Sequence, residues 1–569
     1  MRFAVKIILF VSLICLLGLG AFFVYTKLLR PNRIPHQPPS AEALQQLLKQ
    51  KQHTRYLLGT NTNEVTEDNA SVPFVDLFKS SIPFPDTYPW LSSKQVRYDK
   101  HGWPIELNGG VAGTKFLNRL PAGTVPDGQY TVLYDGEGKI DYGNDARLVS
   151  RDVGKDLIQI KVGKDRILNA SLIIKQLNKK NPLRNIRVLL PGGICQNNPF
   201  KRIDSQASCT NSRYLPFAKN DGSILFNPDY LNFMKDFRLI RFMNMSGMTR
   251  NPVTEWRDRN TLSKATWAGK EGNRGAPVEI MVALANQLKS DAWFSMPYKA
   301  SDDYVRHFAR YVAQHLDPSL RVYIEYSNEV WNNIFPHRRY AIEQGLSAKL
   351  DTHPETAGIK YYAIRSVEIF KTWEQEFGDK SRLVNVISGW SANPRLTSQL
   401  LSYRQTHQYT DALAIAPYFY ADLDALRKAK RVDDIFKAVN DTGSRYGLPA
   451  AIRQIKQQAA LTKEFGVELI AYEGGQHLVD WETRRTDQHP NPLLYAANRS
   501  PKMGQLYDQY LDAWHQAGGK TFVHFSAPRF YSWYGSWGAK EYITQPRDKA
   551  PKYDALLKYI ERYQQPDQH

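Results

Sequence analysis

Two short motifs in the chain each deliver a glutamate at the end of an apolar, strand-like run. Residues 321–332 read R-V-Y-I-E-Y-S-N-E-V-W-N and carry Glu329, and residues 466–476 read G-V-E-L-I-A-Y-E-G-G-Q and carry Glu473. Two carboxyl groups that face each other suit the hydrolysis of a glycosidic bond, in which one acts as acid and base and the other as nucleophile. The two glutamates are therefore the candidate catalytic residues.

The elements that must position this pair are parallel strands that end on the same side of a sheet. From residue 183 onward strand-like and helical patterns alternate, and the clearest helical pattern spans residues 359–377. This alternation predicts an α/β fold with a parallel sheet, and eight strands predict closure into a (β/α)8 TIM barrel over residues 183–565. The eight predicted strands are residues 186–190, 238–243, 292–296, 322–326, 383–388, 412–416, 467–472 and 521–525.

The order of these motifs resembles clan A of the retaining glycoside hydrolases. In that clan an Asn-Glu pair ends strand four and carries the acid/base, and a glutamate that ends strand seven is the nucleophile. Asn328-Glu329 and Glu473 match this pattern in residue type and in strand count. The resemblance covers residues 186–563 and identifies the clan rather than a family within it. It implies retention of configuration and requires no metal or organic cofactor.

Each matched residue has an expected role and a plainer alternative. Glu329 must stay protonated near neutral pH, and the charge of Glu473 nearby would help to raise its pKa. Asn328 is expected to bond the 2-hydroxyl of the sugar. Arg241 on strand two resembles the clan arginine that binds the nucleophile, where its charge would keep Glu473 ionised. The alternatives are a helix cap for Asn328-Glu329 and structural ion pairs for Glu473 and Arg241.

Aromatic residues follow strands six and eight. Tyr418, in A-P-Y-F-Y, resembles the clan tyrosine that hydrogen-bonds the nucleophile. The histidine that usually accompanies it is replaced, so that Tyr420 is an alternative. Trp533 and Trp537 lie in F-Y-S-W-Y-G-S-W-G, and one of them is expected to form the floor of the subsite nearest the cleavage point, unless both belong to the core.

Further polar and aromatic residues lie in the loops that follow the predicted strands. Loop residues at this end of a barrel commonly contact substrate, although each of them could equally serve packing. The candidates are Trp256, Arg257 and Arg259 after strand two, Trp331 and Asn332 after strand four, Trp390 after strand five, and His477 and Trp481 after strand seven.

The N-terminal segment predicts attachment to a membrane. Residues 7–25 carry no charge and are long enough to cross a bilayer as a helix, and no small-x-small cleavage site follows them. We therefore expect a signal anchor at residues 1–28, with the body outside the cytoplasmic membrane. Lys27, Arg30 and Arg33 follow the run, so the positive charges do not by themselves decide the orientation. Residues 29–70 are interpreted as a Pro-rich linker with a short helix at residues 41–51.

Cys195 and Cys209 form a close pair in a loop-like segment. A single pair in a large exported domain predicts a disulfide, and two free thiols are the alternative. A disulfide agrees with a location outside the cytoplasm.

Short strands separated by glycine turns occupy residues 71–182, for example residues 129–134, 157–162 and 170–174. This pattern predicts a small antiparallel β-sandwich. Trp90, Trp103 and Tyr130 in this region belong either to its core or to a platform for sugar.

Composition narrows the class of partner. Aromatic residues make up 12% of the chain, which fits a sugar-binding protein but also a large core, and the formal net charge is +19. The charge favours an anionic partner, but the basic residues are scattered, so no nucleic acid is expected. The sequence thus predicts a membrane-anchored retaining glycoside hydrolase for a β-linked envelope or extracellular polysaccharide, and the charge favours an anionic one. A carbohydrate-binding protein on a catalytically weak barrel is the alternative, and a nucleic-acid binder rests on charge alone.

Overall fold

Twenty strands and fourteen α-helices form the regular structure in the part of the chain that the computed structural model describes, residues 39–51 and 54–564. The strands are β1 (Leu58–Asn61), β2 (Arg97–Tyr98), β3 (Pro104–Glu106), β4 (Ala112–Pro121), β5 (Gly128–Asp135), β6 (Gly138–Asn144), β7 (Ala146–Asp152), β8 (Lys155–Ile160), β9 (Ile167–Leu177), β10 (Arg184–Leu189), β11 (Gly193–Cys195), β12 (Asn198–Ile203), β13 (Tyr214–Pro216), β14 (Leu239–Arg241), β15 (Asp291–Met296), β16 (Val322–Tyr326), β17 (Leu383–Ser388), β18 (Ala412–Ile415), β19 (Glu468–Ala471) and β20 (Phe522–His524). The helices are Ala41–Gln50, Phe217–Asn220, Pro228–Met234, Val278–Leu288, Asp302–His315, Pro336–Ser347, Pro354–Phe377, Pro394–Ser402, Leu423–Lys428, Val432–Val439, Leu448–Glu464, Asn491–Arg499, Pro501–Gln516 and Pro551–Tyr563.

Eight of the strands close into a parallel barrel. Going around it, β1 is followed by β14 to β20 in chain order, and β1 pairs in parallel with both β14 and β20. Helices separate successive barrel strands, as in a TIM barrel, so that part of the predicted fold is confirmed. Seven of the eight predicted strands overlap barrel strands.

The prediction for the first barrel strand is wrong. Residues 186–190 overlap β10, which pairs antiparallel with β5 outside the barrel, for instance Val188 with Val132. The first barrel strand is instead β1, which lies in the segment interpreted as a linker. It has only four residues, and two of them, Thr60 and Asn61, are polar, so it lacks the apolar run that marks a strand. All four are nevertheless buried, because β14 and β20 flank them.

The barrel therefore does not begin at residue 183, and β2 to β13 form an insertion between β1 and β14. The insertion contains a four-stranded sheet in the order β10-β5-β8-β7 and a three-stranded sheet in the order β4-β9-β6, both antiparallel. Val132 and Ile158 of one sheet and Leu172 of the other belong to a single buried apolar cluster. Antiparallel sheets are thus present where the sequence predicts them, and the sandwich packing itself stays a prediction.

The aromatic residues of the insertion divide between its core and its surface. Trp103 and Tyr130 are buried, and the Trp103 ring stacks on Phe78 with 5.4 Å between centroids. Trp90 is exposed. The first two therefore serve the core.

The inside of the barrel changes character along its axis. Apolar side chains that include Leu239, Tyr323 and Ile470 fill the interior. Arg241 at the end of β14 and Glu325 near the end of β16 are also fully buried. Charged groups thus replace apolar ones toward the C-terminal ends of the strands, which is where TIM barrels place their sites.

The predicted disulfide is present. The Cα atoms of Cys195 and Cys209 are 5.5 Å apart, within the usual range for a bridge. The predicted short helix is also found, at Ala41–Gln50, and Ser40 Oγ caps it by accepting from the Ala43 N–H.

The predicted signal anchor at residues 1–28 lies outside the described residues. Within residues 39–51 and 54–564, no helix combines the length and the apolar character needed to cross a membrane.

Candidate active site

The two candidate glutamates follow strands that end at the same rim of the barrel. Asn328 and Glu329 come just after β16, and Glu473 comes just after β19, and the barrel strands are parallel. Both glutamates are buried, each with only 8% of its surface exposed. Tyr472, the neighbour of Glu473 in the chain, donates its hydroxyl to Glu329 Oε1 at 2.7 Å. The structure therefore brings the two carboxyl groups into one site.

The backbone around Glu329 is strained. Ser327 has φ 39° and Glu329 has φ 46°, in the left-handed region that side-chain-bearing residues avoid. Asn332 stabilises this conformation, because its backbone N–H donates to the Glu329 carbonyl at 2.8 Å and its amide donates to Glu329 Oε2 at 2.8 Å. Such strain concentrates at functional positions, where the surrounding structure holds one side chain in a required place.

Arg241 links the two motifs. The sequence predicts its contact with Glu473, but not its contact with Asn328. Its Nη1 donates to Glu473 Oε2 at 3.3 Å, and its Nη2 donates to Asn328 Oδ1 at 3.0 Å. The guanidinium is fully buried, so it cannot turn toward solvent. One cation thus fixes the nucleophile candidate and the residue next to the acid candidate in a single geometry.

Glu325 is a third carboxylate in this network, and sequence reasoning missed it. It is fully buried, and its Oε2 accepts from Arg241 Nη2 at 2.8 Å, from Trp293 Nε1 at 3.0 Å and from Ser295 Oγ at 3.0 Å. The available signal was a charged residue inside the otherwise apolar strand β16, on the same face as Tyr323. A buried charge in a strand requires a partner, which indicates a site.

Asn61 was missed together with its strand. Its Oδ1 accepts from Arg241 Nη1 at 3.2 Å, and its amide donates to the Tyr472 carbonyl at 3.0 Å. Asn61, whose polar side chain makes β1 hard to recognise in the sequence, therefore helps to hold Arg241 in place.

Burial dominates the ionisation of the pair. It raises the pKa of Glu329 and the pKa of Glu473, and repulsion between two buried carboxylates raises the pKa of the one that ionises second. Arg241 lowers both pKa values, but less than burial raises them. The pair therefore favours a state with one proton over a state with two negative charges.

The contacts of the pair indicate which carboxyl group carries the charge. Arg241, a full cation, and the Tyr418 hydroxyl both donate to Glu473, the latter at 3.2 Å. The donors to Glu329, Tyr472 and Asn332, are neutral. A cation favours the ionised form more than neutral donors do, so we assign the charge to Glu473 and the proton to Glu329.

Of the two tyrosines after β18, Tyr418 is the one that binds Glu473. Tyr420 lies beside it, with 6.4 Å between ring centroids, and is partly exposed. The His477 ring is 5.4 Å from that of Tyr418, and burial lowers the pKa of His477 to about 4, so that it is neutral. Trp537 Nε1 donates to His477 Nδ1 at 3.2 Å. Tyr418, His477 and Trp537 form one continuous wall, which we call the aromatic wall.

Trp533 and Trp537 occupy different positions. Trp537 is buried in the aromatic wall and lies 5.9 Å from the ring of Phe525, which follows β20 and which sequence reasoning missed. Trp533 contacts Tyr534 instead, with 5.8 Å between centroids. The role of either tryptophan as a subsite floor stays a prediction.

The remaining loop candidates fall into two groups. Trp331 and Trp390 stack in parallel near Glu329, with 5.7 Å between centroids and 1° between ring planes. Trp256 and Arg259 serve packing against helix Asp302–His315: Trp256 stacks on His307 at 5.8 Å, and Arg259 lies over Trp256 at 3.9 Å. We therefore do not assign Trp256 or Arg259 to the carboxylate pair.

A metal centre is not formed by the described residues, since no group of three or more His, Cys, Asp or Glu side chains in residues 39–51 and 54–564 could hold an ion.

Comparison with known proteins finds solved structures of low similarity. Neither the protein-family models nor the curated proteins contain a match to the chain. Solved structures that resemble it include a Bacteroidetes-affiliated GH5 cellulase, with 12% identity, a TM-score of 0.34, and coverage of 59% of this chain and 85% of that one. A GH10 structure from Paenibacillus barcinonensis has 12% identity, a TM-score of 0.32, and coverage of 59% and 92%. A GH26 endo-β-1,4-mannanase from Cellulomonas fimi has 13% identity, a TM-score of 0.28, and coverage of 50% and 56%.

These structures are TIM-barrel glycosidases of clan A, the group that the sequence resembles. At such low TM-scores these similarities support no conclusion about this chain. The barrel and the placement of Glu329 and Glu473 after its fourth and seventh strands are features of this chain itself. This placement agrees with the resemblance to the clan, and no family within the clan is identified.

Proposed function

We propose that the protein hydrolyses glycosidic bonds with retention of configuration, with Glu473 as nucleophile and Glu329 as acid and base. The observation that carries this proposal is the contact of Arg241 with both Glu473 and Asn328, at 3.3 and 3.0 Å. The cation favours the ionised form of Glu473, and burial favours the protonated form of Glu329 beside Asn328. These are the two states that the double displacement requires.

In the first step a carboxylate oxygen of Glu473 attacks the anomeric carbon of the sugar. The bond from that carbon to the leaving oxygen breaks, and Glu329 gives its proton to the leaving oxygen. In the second step the Glu329 carboxylate takes a proton from water. The water oxygen bonds to the anomeric carbon, and Glu473 leaves as a carboxylate, so the enzyme returns to its starting state.

Asn328 is positioned to bind the sugar itself. Its Oδ1 accepts from Arg241, which leaves the amide hydrogens free to donate toward the site. A donor beside the anomeric centre suits the 2-hydroxyl of the sugar, and the bond strengthens as charge develops in the transition state. Arg241 fixes the orientation of this amide.

The proposed substrate is a β-linked polysaccharide of the cell envelope or its surroundings. We further propose that residues 1–28 anchor the protein in the cytoplasmic membrane, with the catalytic body on the periplasmic or extracellular side. The uncharged run at residues 7–25 and the bridge between Cys195 and Cys209 support this location. A reporter that is active only outside the cytoplasm, fused after residue 569, should be active, and activity of only a cytoplasmic reporter would contradict the proposal.

The alternative of a carbohydrate-binding protein without catalysis is disfavoured by the complete carboxylate network. A direct test is to incubate the purified protein with a panel of polysaccharides and to measure product size and anomeric configuration by NMR during the reaction. We expect products of retained configuration. Binding of a polysaccharide without any cleavage across the panel would favour the binding protein.

A further inference from the structure

The chemistry of the two glutamates divides the site into two sides. The leaving group receives its proton from Glu329, so it lies on the side of Glu329 and of the stacked pair Trp331 and Trp390. The sugar that becomes bonded to Glu473 lies on the opposite side, toward the aromatic wall that includes Trp537. We call this second side the glycone side.

Two arginines lie beyond the aromatic wall on the glycone side. The guanidinium carbon of Arg529 is 5.9 Å from the centre of the Phe525 ring, which in turn lies 6.4 Å from that of Tyr418. Arg529 forms an ion pair with Glu64, and Arg274 Nη2 is 3.8 Å from the same carboxylate. The three residues belong to loops after β20, β1 and β14, so the barrel rim brings them together.

This group of three residues contains two cations and one carboxylate. The two arginine side chains are each 19% exposed, and they share the single carboxylate of Glu64. The 3.8 Å contact of Arg274 is beyond hydrogen-bonding distance. Burial lowers the pKa of Arg529 to about 10 and lowers that of Arg274, yet both remain cations at neutral pH.

Two other carboxylates near these residues have cationic partners of their own. Glu271 accepts from Arg250 Nε at 3.0 Å, and Asp68 pairs with Arg119 at 3.1 Å. Glu64 is therefore the carboxylate that Arg274 and Arg529 share.

An exposed aromatic ring connects the arginines to the site. Tyr534 is 53% exposed, and its ring lies 5.7 Å from that of Trp537 and 5.4 Å from that of Trp481. Tyr534 and Arg529 belong to the same loop after β20, and the electrostatic influence of Tyr534 reaches both Arg274 and Arg529. A flat ring beside two guanidinium groups can stack on a sugar while they bind its acidic substituent.

We propose that Arg274 and Arg529 form a subsite on the glycone side that binds the carboxylate of a uronic acid, so that the substrate is an acidic polysaccharide. Guanidinium groups bind carboxylates through paired N–H donors, which gives directional recognition that a neutral sugar cannot match. This inference rests on the proposed function for the direction of the sugar chain. The proposed subsite depends on the charges of Arg274 and Arg529 at the barrel rim, and not on the net charge of the chain.

The test compares a uronic acid oligosaccharide with the same oligosaccharide after reduction of its carboxyl groups. In Arg274→Gln, the ratio of kcat/KM for the uronate to kcat/KM for the reduced form should fall about tenfold to a hundredfold, the loss expected for charged hydrogen bonds. Arg310→Gln, which removes an exposed arginine paired with Glu376 at 2.9 Å, is the matched control and should keep the ratio. Melting temperatures of the variants show whether each has folded.

A binding measurement separates this inference from the proposed function. In Glu473→Gln, calorimetry should show tighter binding of the uronate than of the reduced form, and adding Arg274→Gln should remove the difference. Hydrolysis with no preference for the uronate would overturn the subsite and leave the glycosidase assignment intact. Uronate binding that depends on Arg274, without hydrolysis of any glycan, would support the subsite and contradict the glycosidase. Preference for a sulfated glycan over the uronate would also overturn the assignment to a carboxylate.

Discussion

Arg241 binds Glu325 more closely than it binds Glu473. Its Nη2 is 2.8 Å from Glu325 Oε2, whereas its Nη1 is 3.3 Å from Glu473 Oε2. The buried arginine is therefore mainly neutralised by a carboxylate that does not face substrate, and only part of its field stabilises the nucleophile. Glu325 thereby acts as a positioning residue. It keeps the pKa of Glu473 higher than it would be if Arg241 interacted with Glu473 alone.

Glu325→Gln should lower the pKa of Glu473. The change removes a negative charge that raises this pKa and frees Arg241 to act on Glu473 alone. The acid limb of the kcat/KM profile reports ionisation of the nucleophile, so it should move to lower pH. A purely structural role would reduce activity without moving this limb. Ser295→Ala, which removes a neutral donor to Glu325, is the control and should shift the limb less.

Tyr418→Phe and Tyr420→Phe form a matched pair. Tyr418 donates to Glu473 at 3.2 Å, so its loss should reduce kcat/KM by about tenfold to a hundredfold and raise the pKa of Glu473, moving the acid limb to higher pH. Tyr420 lies next to it and has a ring of the same size. Equal effects of the two variants on the acid limb would show that the shift does not come from the hydrogen bond between Tyr418 and Glu473.

The sequence predicts the strands whose apolar residues form clear runs, and it fails where polar residues are buried by tertiary contacts. Strand β16 can be recognised in the sequence because four of its five residues are apolar, and the position of Glu329 can then be predicted from the end of this strand. Strand β1 cannot be recognised in the sequence because Thr60 and Asn61 are polar. Their burial depends on β14 and β20, which are distant in the chain. The position of the β insertion was misjudged for the same reason.

Contacts of single side chains were predictable when a motif fixed their place relative to a strand end, as for Arg241 and Tyr418. They were not predictable for Trp256 and Arg259, which share the same kind of loop position. Their partners, His307 and Glu279, come from helices whose packing against the loop no local pattern specifies.

The disulfide between Cys195 and Cys209 should stabilise the fold by restricting the unfolded chain. Closing a loop of this length contributes about 3 kcal/mol. Replacing both cysteines with serine should lower the free energy of unfolding by about this amount in a denaturant titration. Mass spectrometry of unreduced peptides should show the bridge directly, and recovery of two alkylated thiols from the native protein would contradict it.

Glu473→Ala should abolish turnover and leave the fold intact. The side chain supplies the bond to the sugar, so its loss should reduce kcat by about 10⁴-fold or more. The methyl group fits the space, and circular dichroism should show unchanged secondary structure. Turnover that survives this change at a comparable rate would exclude Glu473 as the nucleophile.

Glu329→Ala should separate the two steps of the reaction, because Glu329 supplies protons and not the covalent bond. With an aryl glycoside whose leaving group needs no proton, the first step should still proceed, and the covalent intermediate on Glu473 should accumulate because no base activates water. Azide needs no base, so it should restore turnover and give a glycosyl azide of retained configuration, which NMR can identify. A glycosyl azide of inverted configuration would show that azide attacks the substrate directly and that no intermediate forms on Glu473. Glu473→Ala treated in the same way is the control, and it should give no retained product because it cannot form the intermediate.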